Sequence, residues 1–336
     1  MDAATALRRI AYLLEELGAD SYRVRAFRRA AGQVAETGPE RLKKLAGANQ
    51  LGQLPGIGGT TATVIAEALA GGTPSYLRDL EQQTPVALPG AAGALRRQLR
   101  GDCHSHSDWS DGGSSILEMA EAARDMGHEY LAVTDHSPRL TVAHGLQAER
   151  LREQLVVLAA LNRELAPFRI LSGIEVDILD DGSLDQDEEL LGSLDIVVAS
   201  LHSKLRMDSP AMTRRMVRAV GNPHTDILGH CTGRLVVGRE RPESTFVAEE
   251  VFAACAAAGT AVEINSRPER RDPPPPLLRL AASAGCMFAI DSDAHAPGQL
   301  EWVRNGCEMA AEAEIPGDRL INTYALNRLL AWTAAA

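Results

Sequence analysis

Residues 101–113 read GDCHSHSDWSDGG, with His104 and His106 two apart and Asp111 close behind. If Arg100–Ser105 is a strand, its period of two sends both imidazoles out of the same face. Two neutral imidazoles and a carboxylate converging there suit a borderline divalent cation such as Zn²⁺ or Mn²⁺. A His-x-His pair also occurs on solvated strands, so the partners supplied by the rest of the chain decide the reading.

Downstream of this stretch the pattern alternates. Short apolar runs at Leu131–Val133, Ile170-Leu171, Ile196–Ala199, Ile227-Leu228, Ala261–Ile264 and Met287–Ile290 are separated by helical stretches. Those stretches are Ser115–Met126, Glu149–Leu165, Ala211–Val220, Thr245–Ala258 and Leu277–Ala284. With the strand before His104 this makes about seven β–α units, a count that favours a closed parallel barrel over an open sheet. Asn305–Ala336 is expected to add closing helices with a frayed Ala-rich end.

Nearly every run ends in a histidine or an acid: Thr134-Asp135-His136, Gly173-Ile174-Glu175, Ser200-Leu201-His202, Gly229-His230 and Asp291-Ser292-Asp293-Ala294-His295. Barrels build active sites at the C-terminal ends of their strands. One histidine there is ordinarily a packed rim residue. Six of the nine in the chain at such positions point to metal binding.

Bulk composition bounds the rest. The 336 residues suggest one large domain plus a small one, and a hydrophobic content of 45% is enough for packed cores. No apolar run approaches the roughly 18 residues of a membrane span, and the N-terminus lacks a signal-peptide core. Five cysteines without a C-x-x-C pair fit a reducing compartment, so a soluble, cytoplasmic protein is expected, with a monomer as the default. The net charge of −11 divides into +4 for residues 1–100 and −15 for the remainder. An acidic domain with a basic appendage implies a division of labour.

Residues 1–81 read as helices joined by turns, including Ala3–Leu17 and Ser21–Glu36. Arg25, Arg28 and Arg29 lie three or four apart and can form one basic face, which is also how a solvated helix looks. Leu54-Pro55-Gly56-Ile57-Gly58, followed by a good helix, is identified as the hairpin of a helix-hairpin-helix motif. Gly56 and Gly58 permit a tight turn that lets backbone N–H groups and the helix N-terminus face a phosphate. Such contacts hold DNA without reading its sequence. An ordinary helix–helix turn would look similar, and the neighbouring basic helix favours DNA.

Residues 5–81 resemble the N-terminal eight-kilodalton-type domain of family X DNA polymerases, including the run Tyr22–Ala31. Val64 stands where some relatives carry a Schiff-base lysine, and Thr60 where they often place a phosphate-binding lysine. These departures argue against lyase activity and for weak DNA affinity. Residues 82–100 read as a linker ending in a short basic helix, and leave no room for polymerase catalytic domains. Polymerisation is therefore not expected.

Residues 101–336 resemble the PHP family, the polymerase and histidinol phosphatase superfamily, whose distorted (β/α)7 TIM-like barrel would here follow the small all-α domain. The resemblance rests on H-x-H, D-G, T-D-H, G-x-E, S-x-H-S, G-H and S-D-A-H in that order. It implies three divalent ions, Mn²⁺ or Zn²⁺ or Fe²⁺. One would use His104, His106, Glu175 and Asp293, the second Glu175, His202 and His230, and the third Asp111, His136 and His295. Glu175, Asp293 and His295 would carry the catalysis. Clustered cations acidify a water, neutralise nonbridging oxygens and stabilise a departing alkoxide.

Lys204, Arg234 and Arg267 near strand ends are candidates to hold a phosphate, with Arg270 and Arg271 able to do the same. His144 is a candidate at the substrate mouth or a solvated loop residue. Trp109 either stacks on a base or packs its loop, Cys103 and Cys231 read as core, and His128 and His224 read as surface. The motifs Gly229–Arg234 and Thr141–Leu146 bring the resemblance closest to bacterial family X polymerases. That implies a 3′–5′ exonuclease or 3′-end-processing phosphoesterase in DNA repair, acting on DNA ends without sequence preference and away from membranes. A histidinol-phosphate phosphatase and a non-catalytic DNA-binding module are the alternatives.

Overall fold

The computed structural model describes residues 1–84 and 87–334. Pro85 and Val86 of the expected linker, and the last two residues of the Ala-rich end, lie outside them. The chain forms two compact units, Met1–Ala87 and Leu88–Ala336, so the division falls inside the expected linker.

The first unit is helical. Its helices are α1 (Ala3–Glu16), α2 (Ser21–Thr37), α3 (Pro39–Gly47), α4 (Gly59–Leu69) and α5 (Ser75–Gln83). Asp2 caps α1 by accepting the Thr5 N–H at 3.0 Å, and Asp20 caps α2 through the Tyr22 N–H at 2.7 Å. Gly38, at φ +77°, ends α2, and Pro39 opens α3 where no intrahelical donor is needed. The apolar stripes of these helices meet in one core that includes Leu7, Ile10, Leu14, Phe27, Leu54, Ile57, Ile65 and Leu77.

The second unit starts with α6 (Gly90–Arg96), which packs on α13 (Val303–Glu312) late in the chain. Between them run seven strands: β1 (Gly101–Asp102), β2 (Tyr130–Val133), β3 (Arg169–Asp177), β4 (Ile196–Ser200), β5 (Ile227–Leu228), β6 (Ala261–Asn265) and β7 (Phe288–Asp291). All pairs are parallel and the spatial order is the sequence order. The intervening helices are α7 (Ile116–Asp125), α8 (Ala148–Glu164), α9 (Glu188–Leu191), α10 (Ser209–Val220), α11 (Ala248–Ala258) and α12 (Pro275–Ser283). A last helix, α14 (Leu326–Thr333), follows α13.

The named part of β1 is shorter than Arg100–Ser105, but the extended run continues. Ser105 bridges Ala294, the His106 N–H reaches the Ala294 carbonyl at 2.8 Å, and the Thr134 N–H reaches the Ser105 carbonyl at 2.8 Å. The His-x-His segment is thus clamped between the ends of β2 and β7, nearly closing the barrel.

Period-two alternation divides the strand residues between two environments. Ala132, Leu171, Ile196, Val198, Ala261 and Ala289 fill the barrel interior, where Ile321 and Leu329 join them. Val176, Val197, Ala199, Val262, Ile264 and Ile290 pack outward with the surrounding helices. The interior parity continues upward to His136, Glu175, His202, Glu263 and Asp293, all buried or nearly so. The same alternation that builds the core therefore stacks polar side chains above it.

Candidate metal centre

Glu175 lies at the middle of the cluster, 1% exposed. Its Oε1 stands 2.8 Å from His230 Nε2 and 3.2 Å from His202 Nε2. Its Oε2 stands 2.8 Å from His136 Nδ1 and 3.5 Å from both His104 Nε2 and His106 Nε2. His106 Nε2 is 3.5 Å from Asp293 Oδ1. Beside this group, Asp111 Oδ1 lies 3.4 Å from His136 Nε2 and 3.3 Å from His295 Nε2. All nine side chains read from the strand ends converge.

Seven of the nine offer donor atoms in three groups able to surround a cation: His106, Asp111, His136 and His295; His104, His106 and Glu175; and His136, Glu175 and His202, while His230 and Asp293 stand beside these groups rather than in them. The fit to metal is chemical as well as spatial. His104 Nε2 and His106 Nε2 face each other at 3.2 Å. His202 Nε2 is buried near Glu175 without making a hydrogen bond to a described residue. Lone pairs converging on shared points, rather than donors meeting acceptors, are what a multinuclear cation site requires.

Electrostatics keep the carboxylates ionised. Burial pushes Glu175 upward, but His202, His104 and His136 outweigh it and hold the acid well below its ordinary range. Burial likewise opposes ionisation of Asp293, and Arg267 and His106 reverse the balance. For His136, burial disfavours the charged ring, yet Glu175 and Asp111 raise it to about 10.

Several supporting residues escaped the sequence reading. Glu263 accepts from His104 Nδ1 at 2.6 Å and from the His230 backbone N–H, turning the His104 Nε2 toward Glu175. Asp177 does the same for His202, 2.6 Å from its Nδ1. Such partners fix the tautomer and orientation of a ligating ring. Asp135 gathers the loop after β1, accepting the Ser107 N–H at 2.8 Å, the Ser110 hydroxyl at 2.5 Å and Gln154 Nε2 at 2.6 Å. In that loop a Cβ on Gly112 would fall 2.6 Å from the Ser107 carbonyl, so only glycine admits the turn that presents Asp111. Ser115 then starts α7 through a reciprocal cap with Glu118. Glu263 carried a legible signal, an acid inside an apolar strand on the interior parity.

The expected phosphate contacts are redistributed. A cavity of about 330 Å³ is lined by Asp111, His136, Glu175, His202, Asp293 and His295, with Leu140, Val142, Arg267 and Arg270 on its walls. Lys204 is not there; it pairs with Asp180 at the surface. Arg234 spends its guanidinium on the Arg270 carbonyl at 3.0 Å, the Arg271 carbonyl and Glu243. Arg267 reaches the site, but its Nη1 lies 2.8 Å from His295 Nδ1 and 3.0 Å from the Asp293 carbonyl. His144 is exposed and lends its carbonyl to Arg150, while Val142 of the same loop meets the cavity.

Trp109 packs against the core beneath Arg150, and Cys103 and Cys231 are buried. His224 is half-buried beside Glu188, 3.4 Å away. His128, expected at the surface, is buried instead.

In the helical unit, Gly56 takes φ +76° and the hairpin forms as expected, leading into α4. The Gly58 N–H is already bonded to Thr61 Oγ1 at 2.9 Å, so the amides facing outward belong to the first turn of α4. That turn, with Tyr22, Arg23 and Tyr76, lines a cavity of about 410 Å³. Arg25 is exposed. Arg28 instead forms a two-pronged pair with Glu15 at 2.7 and 3.0 Å, which removes it from the expected basic face.

A helix-hairpin-helix domain model matches residues 1–74 and a PHP domain model residues 102–267. Over 229 residues the chain is 40% identical to the DNA polymerase/3'-5' exonuclease PolX of Bacillus subtilis, covering 68% of this chain but only 40% of that protein. The crystal structure of histidinol phosphate phosphatase from Lactococcus lactis, complexed with zinc, L-histidinol and phosphate, aligns over 63% of this chain and 93% of that one, with 18% identity and a TM-score of 0.43. A Thermoanaerobacter protein named as a probable phosphatase is 30% identical over 233 residues, or 66% of this chain and 89% of that protein. With most of that relative matched and the PHP model lying across the strands that carry the cluster, this chain belongs to the PHP family of metal-dependent phosphoesterases.

Proposed function

We propose that this protein hydrolyses phosphoester bonds at DNA 3′ ends, removing nucleotides in the 3′–5′ direction or clearing 3′-blocking groups. The observation that carries this reading is the joining of a helix-hairpin-helix domain to a phosphoesterase metal centre in one chain. The similarity to a 3'-5' exonuclease, PolX, supports it. Repair of damaged ends is the setting such a reaction fits.

Three divalent ions are assigned, Mn²⁺, Zn²⁺ or Fe²⁺. His104, His106, Glu175 and Asp293 would hold one. Glu175, His202 and His230 would hold a second, and Asp111, His136 and His295 the third. Such ions supply charge neutralisation and an acidified water. The chain's own contribution is orientation. Glu263 and Asp177 point His104 and His202 inward, and Glu175, bridging two sets of imidazoles, fixes their spacing. Asp293 and His295 line the open side, where a scissile bond would lie against them. On the helical unit, the first turn of α4 and the exposed Arg25 would grip the DNA backbone, positioning the strand without sequence preference.

The test compares a 3′-end-labelled oligonucleotide, the same strand bearing a 3′-phosphate, and histidinol phosphate, with Mn²⁺ and then Zn²⁺. Full-length protein runs beside an Arg25→Glu/Thr60→Glu variant and an Asp293→Asn variant. Stepwise shortening or 3′-phosphate release should weaken in the first variant and vanish in the second. Hydrolysis of histidinol phosphate alone, indifferent to the helical-unit changes, would instead establish a small-molecule phosphatase. DNA binding with no hydrolysis of any substrate would leave a non-catalytic module.

A further inference from the structure

Most of α8 reads Arg152-Glu153-Gln154-Leu155-Val156-Val157-Leu158-Ala159-Ala160-Leu161-Asn162-Arg163-Glu164. Its inner side belongs to the barrel unit: Leu151, Gln154 and Leu158 are buried, and Leu155 and Leu161 pack beside Leu158. The outer side departs from the usual pattern, in which a surface helix turns charge to water. Its middle holds Val156, 71% exposed, and Val157, 37% exposed, with Ala159 and Ala160 also exposed. Charges stand only at its two ends, Arg152 and Glu153 before the valines, Arg163 and Glu164 after the alanines, all four exposed. These residues recur at spacings of three and four, so they share one face. A lone exposed valine is ordinary, but an apolar centre rimmed by charge has the anatomy of an interface.

The order along this face identifies the partner. Laid antiparallel on a copy of itself, about a twofold axis level with Leu158, it sets Arg152 against Glu164 of the second copy and Glu153 against Arg163. In the same register Val156 meets Ala160 and Val157 meets Ala159. Every opposed pair joins unlike charges or a large side chain to a small one, the self-complementarity that a twofold interface demands. Parallel stacking would set Arg152 against Arg152 and Glu153 against Glu153, so charge also selects the direction.

We propose that the outer face of α8 is a homodimer interface, on which two copies of this chain pair antiparallel through Val156 and Ala160. Barrel helices run opposite to their strands, so this pairing points the two metal cavities in opposite directions and covers neither. The proposal rests neither on the metal centre nor on DNA being the substrate. One pair of 17-residue helices covers less than the surface of a tight interface. The expected dissociation constant is therefore weak, about 10–100 μM.

The experiment is sedimentation velocity on full-length protein at low salt, from about 1 μM to about 500 μM, a range that brackets this constant. Wild type should pass from monomer to dimer across it. Arg152→Glu places like charges at two symmetry-related contacts and should weaken association about tenfold. Val156→Glu should remain monomeric throughout. Arg152→Glu/Glu164→Arg exchanges the charges across the pair and should return to within about threefold of wild type. The changed positions are exposed, so each variant should keep the wild-type melting temperature. A wild type that stays monomeric at the highest concentration would overturn the proposal. So would a Val156→Glu protein that dimerises as wild type does, since the interface would then lie elsewhere. An exchange variant no better than Arg152→Glu alone would overturn the antiparallel pairing and the proposal with it.

Discussion

His128 offers the sharpest test of how burial acts in this protein. It is 4% exposed, and neither ring nitrogen has a hydrogen-bond partner among the described residues. Burial, with a smaller push from Arg96, holds the ring down to about 3 from its ordinary 6.5. Above pH 6.5 the ring is neutral folded or unfolded, and it contributes no pH dependence. Below that, the unfolded chain takes a proton that the folded one refuses, so stability falls as pH falls toward 3. The loss is about 1.4 kcal/mol per pH unit, or about 2 kcal/mol at pH 5. At pH 5 that figure depends almost wholly on the unfolded ring, because the folded one is still neutral there. His128→Leu removes the titration with little change of volume.

The assay is urea unfolding of both proteins, stripped of metal, at pH 8 and pH 5. Tryptophan emission suits it, since Trp109, Trp302 and Trp332 all belong to the barrel unit. Other titrating groups act on both proteins alike and cancel in the difference. The variant should gain about 2 kcal/mol on wild type between the two pH values. Parallel behaviour, within about 0.5 kcal/mol, would refute the reasoning and mean that the ring finds a proton partner in the folded state.

Three further outcomes are expected. Glu263→Gln should weaken Mn²⁺ binding about tenfold to a hundredfold, read by chelator competition, because the ring of His104 loses its charged partner; an unchanged affinity would remove Glu263 from the site. Arg28→Met should destabilise the helical unit by roughly 3 kcal/mol, since it takes the two-pronged arginine partner from the buried Glu15 carboxylate. Restoration of stability by a second change, Glu15→Leu, would show that the pair and not the arginine alone is responsible. Gly112→Ala should cost roughly 1–3 kcal/mol by forcing a methyl against the Ser107 backbone. It should also lower bound metal as Asp111 shifts, and full metal content in a stable variant would count against that turn geometry.

Much of this protein was legible along the chain because strands and helices are local. Alternating apolar runs and helical stretches marked seven β–α units, and the barrel has seven parallel strands in sequence order. Period two also determined which residues share a face, so His136, Glu175, His202 and Asp293 continue the interior rows that Ala132, Leu171, Ile196 and Ala289 begin. The hairpin at Gly56 was legible for the same reason: one residue's backbone freedom marks the turn.

Tertiary structure decided what the long and polar side chains do. Arg28 read as part of a basic face until α1 brought Glu15 against it. Lys204 and Arg234 stand near strand ends, yet Asp180 and the Arg270–Arg271 carbonyls claim them, while Arg270 is left with donors to spare. His128 follows a helix and looks exposed in sequence, but its ring is packed inside. Strand parity passes from each residue to the next through the backbone. A cation at the end of a flexible stem is placed by whichever distant charge or carbonyl the fold brings within reach.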